Sequence, residues 1–313
     1  MIEAGWKVLA QLALLLVMAP LVSGWIKLWK ARFQTRRGPG LLQPYRDIYK
    51  LLRKGMVIPE TASWLFAATP YAVFLVTLLA GLMVPMVAAD TPIGLFGGVL
   101  AVVYLLGLAR FFLALGGLDA GSSFGGLGSS REMTIAALAE PTLMLSVFTV
   151  AIGGGSTSLS EMARAAIGQQ WHFLVPSQVL AFAALFIVLL AETGRLPVDN
   201  PATHLELTMI HEAMILEYSG PYLALIEWGA SIKQLLLMVL LINVFWPFGL
   251  SAAWSLTGIA GGLGWLVVKL ALLSSAIVLV ETANAKMRLF RVPELMAVGF
   301  ILGALALVST FLL

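Results

Sequence analysis

The chain has 313 residues, of which 60% are hydrophobic and only 11% charged, against about a quarter charged in ordinary soluble domains. So few charges could not cover the surface of a soluble protein of this size, and lipid is the remaining solvent. There is no cysteine, which excludes a disulfide and thiolate-held iron–sulfur or nickel–iron centres on this chain. The formal charge of +3 is too localised to indicate an anionic partner, and topology explains it better.

The N-terminus, MIEAGWK, lacks a positive region before its apolar stretch and shows no small-residue cleavage site, so it reads as a first membrane span. Crossing the hydrocarbon core takes about 20 mostly apolar residues. Eight stretches qualify, at roughly 5–28, 67–89, 95–117, 133–154, 175–193, 222–247, 258–281 and 294–313. The expected fold is an all-α polytopic membrane protein, a single transmembrane domain over 1–313 with about eight transmembrane helices and long cytoplasmic loops. The fifth span is the shortest and is closed by Pro197. No internal repeat is visible, which removes support for an inverted-repeat transporter.

Basic residues set the orientation. Lys30, Arg32, Arg36, Arg37, Arg46, Lys50, Arg53 and Lys54 lie between the first two spans. Arg131, then Arg195, then Lys286, Arg288 and Arg291 occupy successive alternate loops, whereas the opposite loops hold only Arg164, with Lys7 near the N-terminus. The positive-inside rule puts these four loops in the cytoplasm of a cytoplasmic (inner) membrane and both termini on the outer side.

Charges inside the spans come next. Arg110, Glu140, Glu227, Lys233 and Lys269 fall within four predicted helices. Each costs about 2.5–3.5 kcal/mol at a helix centre, so such residues pair or line wet cavities. The set points to a proton or ion path, with static ion pairing of the bundle as the plainer alternative. Glu227 and Gln234, seven apart, are expected on one helical face, with Lys233 pointing elsewhere.

Between the fifth and sixth spans runs a cytoplasmic acidic segment with Glu192, Asp199, Glu206, Glu212 and Glu217, joined by Arg195, Pro197 and Pro201. If 205–217 is helical, Glu206 and Glu217 share a face about 16 Å apart. Acids this dense raise one another's pKa, as a proton entry point requires; a merely solvated acidic loop is the alternative. His204 and His211 are about 10 Å apart along such a helix, too far to share one metal ion, and position 215 is Ile, so no HExxH pair forms. No metal site is expected.

The Gly-rich stretch from Gly116 to Glu132 lacks a phosphate-loop pattern and reads as a tight loop folded against a partner. Gly258 and Gly262 read as helix packing. No Ser/His/Asp triad signature or nucleic-acid motif is present.

The run Arg36-Arg37-Gly38-Pro39-Gly40, continuing through Gln43, Arg46, Asp47 and Lys50, resembles the first cytoplasmic loop of the complex I subunit 1 family. That family includes the quinone-chamber subunit of NADH dehydrogenase and the membrane subunit of group 4 [NiFe]-hydrogenases such as formate hydrogenlyase and hydrogenase-4. Tyr45-Arg46-Asp47-Ile48, the Gly117–Phe124 run followed by Gly128–Glu132, and Glu140-Pro141 are similar to the hydrogenase branch. The resemblance implies a non-redox membrane subunit that binds no cofactor itself. Its [NiFe] centre and iron–sulfur clusters would sit on hydrogenase-like large and small subunits and iron–sulfur subunits, and antiporter-like membrane subunits would lie alongside. It implies coupling roles for Glu140, Glu192, Arg195, Asp199, Glu206, Glu217, Glu227, Lys233, Lys269 and Arg110. It implies partner docking at Arg36, Arg37, Gln43, Arg46, Asp47, Lys50, Asp119 and Arg131. The chain departs from its relatives at Ala202 and His204, where further acids are usual, and in a longer approach to Glu217. A quinone-chamber subunit of complex I and a stand-alone secondary transporter are the alternatives.

Overall fold

The computed structural model describes residues 2–93, 98–168, 175–199, 209–251, 254 and 256–312. Its helices are α1 (Ile2–Phe33), α2 (Gln43–Leu52), α3 (Trp64–Met83), α4 (Val99–Asp119), α5 (Ser123–Gly154), α6 (Leu159–Gly168), α7 (Pro176–Glu192), α8 (His211–Ile215), α9 (Gly220–Phe245), α10 (Leu256–Ala283) and α11 (Val292–Leu312). Each of the eight expected spans coincides with one of them. Among the described residues, α1, α3, α4, α5, α9, α10 and α11 are long and apolar enough to cross a membrane. The eighth, α7, has only 17 residues.

The local signals for these boundaries are physical. Ser63 and Ser122 each accept a backbone N–H in the first turn of α3 and α5, satisfying donors that helix starts leave open. Proline stands in the first turn of α2, α7 and α9, where its missing N–H costs nothing. The most enclosed helix is α9: every residue from Leu235 to Phe245 is buried, as expected of a helix apolar all round and surrounded by others. At one end of the bundle α2, α8, the connections between α1 and α3 and between α10 and α11, and the described parts of the connection between α7 and α9 gather into a loop-rich face.

Two expectations need correction here. The Gly-rich stretch 116–132 is not a loop: only residues 120–122 turn, and the rest belongs to α4 and α5. Its glycines let helices touch. A Cβ on Gly125 would strike the Gly117 carbonyl oxygen, one on Gly117 would come within 3.0 Å of Ser129 Oγ, and one on Gly128 would lie 2.9 Å from Ala213 Cβ. Packing of small residues against backbone is the reason for the composition. The second span also ends early, at Met83, and residues 84–89 run on as buried irregular chain.

Inside lipid such backbone must find every hydrogen bond within the protein. Gln11 Nε2 donates to the carbonyls of Gly81 and Val84, both at 2.8 Å. Asn243 Nδ2 donates to those of Pro85 and Met86 at 2.8 and 3.0 Å. Ser251 N donates to Val87 O, and Ala89 N to Ser251 O. Lys269 Nζ, buried on α10, donates to Asn243 Oδ1 at 3.2 Å and so fixes which way that amide faces. Replacing Gln11 or Asn243 by Leu orphans two carbonyls and should cost about 1–3 kcal/mol, read as a lower unfolding midpoint of the detergent-solubilised protein.

Candidate functional site

Of the charged residues expected inside spans, Glu140 meets Arg110 of α4 directly and Lys233 joins it through Glu192; the Arg110 side chain is 4% exposed. Its guanidinium contacts three carboxylates: Glu132 at 3.6 Å and Glu140 at 2.6 Å, both on α5, and Glu192 at the last residue of α7. Glu192 also holds Lys233 Nζ of α9 at 2.7 Å. Lys233 therefore faces the same space as Glu227 and Gln234, contrary to the helical-wheel expectation, because its long stem bends back to the Glu192 carboxylate. Lys233 lies thirteen residues into α9, about 20 Å along its axis. The C-terminus of α7 thus ends far below the entry of α9, which is why α7 is short.

The turn that follows places the next cation. Gly194 N donates to Ala191 O and Arg195 N to Leu190 O, with Gly194 at φ +57. This is a Schellman cap, which needs a residue without Cβ in the left-handed position. It throws Arg195 back toward the bundle, where Nη1 meets Glu281 of α10 at 3.0 Å and Nη2 meets Gln234 Oε1 at 2.9 Å. Glu281 Oε2 also pairs with Lys30 of α1 at 2.8 Å, and Ser23 donates to Gln234 Oε1 at 3.3 Å.

Both groups border a cavity of about 350 Å³ between α1, α2, the end of α7, α8 and α9. Its charged lining comprises Asp47, Glu192, Glu212, Glu227, Lys27, Arg195 and Lys233, with His211 and Gln234 beside them. At the far end of the Arg110 cluster, Glu140 has a side chain 42% exposed. Its carboxylate lies beside Gly107 of α4, where a Cβ would stand 3.1 Å from Oε1. The result is a chain of charged groups leading from a polar cavity to the flank of the bundle.

Other expected residues fall outside this chain. Lys269 meets Asn243 and supports the buried 84–89 segment. Glu206, with His204, lies outside the described residues. The helix expected over 205–217 is described only as α8, which ends at Ile215; Glu217 lies in the turn after it and is exposed. Its neighbour Tyr218 stacks on Phe66 with ring centroids 4.0 Å apart and donates to Phe66 O, and burial pushes its phenol up. Asp199 accepts from Lys286 Nζ at 2.6 Å and from Ile210 N at 3.1 Å, tying the segment after α7 to the α10–α11 connection and to the approach to α8.

Of the residues expected to dock partners, Arg36, Arg37, Arg46 and Lys50 are exposed on the loop-rich face, and Gln43 donates to Asp47. Asp119 has an internal task, accepting from Ser63 N, Ser63 Oγ and Phe66 N at the start of α3. Arg131 donates to Met209 O, just before α8. No group of three or more potential metal ligands occurs among the described residues. Sequence reasoning missed Glu132, Glu281 and Lys30 as members of the buried groups. Glu281 was in view as the one carboxylate in the α10 sequence.

Removing Arg110 leaves three carboxylates facing one another, a loss of about 3–5 kcal/mol for a buried pair broken on one side. Arg110→Gln should therefore sharply lower the yield of monodisperse protein in detergent. Adding Glu192→Gln should restore part of it, and additive damage from the two changes would contradict the pairing.

Residues 6–312 match the family described as NADH dehydrogenase. Formate hydrogenlyase subunit 4 of Escherichia coli K12 is 36% identical over 301 residues, 96% of this chain and 97% of that one. Hydrogenase-4 component C of the same organism is 35% identical over 298 residues, 95% and 93% of the two chains. A chain in the structure of the membrane-bound sulfane sulfur reductase, an archaeal respiratory membrane complex, superposes with a TM-score of 0.87 at 19% identity, covering 98% of this chain and 99% of that one, and so shares its fold. This multi-pass membrane chain belongs to the NADH dehydrogenase family, that of complex I subunit 1.

Proposed function

We propose that the chain is the non-redox membrane subunit of an energy-converting, formate-hydrogenlyase-like hydrogenase complex, in which it couples electron transfer on partner subunits to movement of protons or sodium ions. The observation that carries this reading is the unbroken series Lys233–Glu192–Arg110–Glu140, which begins at a polar cavity and ends at a half-exposed carboxylate on the bundle's flank. A carboxylate facing lipid is costly, so the Glu140 position suits an adjoining antiporter-like membrane subunit that continues the path. With no cysteine, the chain leaves the [NiFe] and iron–sulfur centres to hydrogenase-like large and small subunits and iron–sulfur subunits. These dock on the loop-rich face; the charge bias supports a cytoplasmic position for that face, with both termini outside the inner membrane.

The cavity lining favours this branch over a quinone chamber. Seven charged side chains around one space suit water and protons far better than an apolar ring, since ligand sites for such rings are lined mainly by hydrophobic groups. Within the coupling step, redox turnover on the partner subunits shifts the segment around Glu192 and Arg195. That changes which cation Glu192 faces and therefore its proton affinity.

The test is the complex isolated through this chain and reconstituted in liposomes. Electron transfer and ion uptake are recorded together for Glu192→Gln and Lys233→Gln. Either variant should lower ions moved per electron at least several-fold while hydrogen or donor turnover persists. Full ion movement in both would remove the coupling role.

A further inference from the structure

The buried charges fall into two groups of opposite sign. Around Arg110 stand three carboxylates (Glu132, Glu140, Glu192) and two cations (Arg110, Lys233), a formal sum of −1. Around Glu281 stand one carboxylate and two cations (Lys30, Arg195), a formal sum of +1. The groups meet at two places in the chain, Glu192 and Arg195 across the Schellman turn, and Lys233 and Gln234 on α9. Neither group is neutral alone, and both border the cavity that Lys27, Asp47, Glu212 and Glu227 also line.

Glu281 is the acid of the second group, with a side chain 2% exposed. Its helix, α10, carries only one other charge, Lys269, and much of its length faces outward through Trp265, Val268, Leu272 and Leu279. A charge-bearing residue that an apolar peripheral helix turns inward onto two cations has more than a packing task. Those two cations belong to α1 and to the segment after α7, and Arg195 also reaches Gln234 at the cavity wall.

We propose that Glu281 is a positioning residue of the coupling site: it holds the Arg195 guanidinium on Gln234, and with Lys30 it latches the segment following α7 to α1 and α10. The latch rests on the proposed coupling function for its consequence but not for its geometry. While it is closed, Arg195 is kept from Glu192, one turn away, and Glu192 stays with Arg110 and Lys233. Opening it frees Arg195 for Glu192 and redistributes charge across the cavity. Glu281 thus acts through Arg195 without standing in the path itself.

The experiment uses the complex isolated through this chain, comparing wild type, Glu281→Gln, Glu281→Asp, Arg195→Gln and the Glu281→Gln/Arg195→Gln double variant. Hydrogen–deuterium exchange over residues 193–199 reports the latch. Ions moved per hydrogen evolved from reduced methyl viologen, in liposomes, report coupling. Glu281→Gln should raise exchange in 193–199 by about tenfold, the loss of one charge-assisted hydrogen bond, and lower the ion ratio. Glu281→Asp should recover much of both, and the double variant should be no worse than Arg195→Gln. Unchanged exchange in Glu281→Gln, or additive effects in the double variant, overturns the latch. If Glu281→Gln does not assemble, Arg195→Gln decides, because the latch requires the same loosening there. Glu192→Gln in the same assay separates the two levels. A full ion ratio in Glu192→Gln removes the coupling reading, whereas loss in Glu192→Gln with a normal ratio in Glu281→Gln removes only the latch.

Discussion

A single cation, Arg110, organises the interior. Placed on α4 with its side chain almost wholly buried, it cannot exist without negative partners, because no water is at hand to solvate it. Three carboxylates supply them, two from α5 and one from the end of α7. Meeting Arg110 requires α7 to stop at Glu192, well below the entry of α9, so the segment after it enters the bundle instead of lying on top. The cavity, the Schellman turn at Gly194 and the reach of Arg195 to Glu281 all follow from that early stop. A longer α7 would put helix where the cavity is.

The same rule governs the opposite end without any charge pair at its centre. There α3 stops at Met83, and the chain crosses the interior as irregular backbone from 84 to 89. Its carbonyls are met by two buried amides, Gln11 and Asn243, and by Ser251. Lys269 belongs to this arrangement, a buried cation that orients an amide. Both broken segments are thus built from one constraint, that backbone and charge in lipid are satisfied by the protein or not at all. The one built on acids faces the loop-rich side and the one built on amides the short-loop side.

The architecture was legible from hydropathy alone, and each of the eight apolar stretches became a helix, because twenty-residue apolar runs leave few alternatives. The inward charges Arg110, Glu140 and Lys233 were legible for the same reason. What could not be read was who meets whom. Lys233 lies away from Glu227 on a helical wheel, yet a four-carbon stem and a carboxylate arriving from α7 bring both to one cavity. Glu132 sat in a stretch whose glycines looked like a loop, since composition does not distinguish a turn from helices packed backbone to backbone. Glu281 closed an apolar run and looked like a boundary, and Lys30 looked like one more loop cation. Their pairing depends on α1 and α10 lying side by side, which no local pattern encodes.

The uneven split of charge gives the site its direction. A neutral, fully paired cluster would be a clamp, since moving any member would cost more than its neighbours return. Here the Arg110 group carries an excess of negative charge and the Glu281 group an excess of positive charge, and both border the polar cavity. Arg195 stands at the seam, fixed by a turn of two residues rather than by a helix, and has an acid on either side. In the proposed latch, a small displacement of that turn exchanges Glu281 for Glu192 as the partner of Arg195, which would make the site bistable. Bistability of this kind is what a coupling element needs, because a remote event then has only a small difference in free energy to overcome. In the proposed coupling, the half-exposed Glu140 would be the outlet of the charge shift at the flank, and the polar cavity its source of protons.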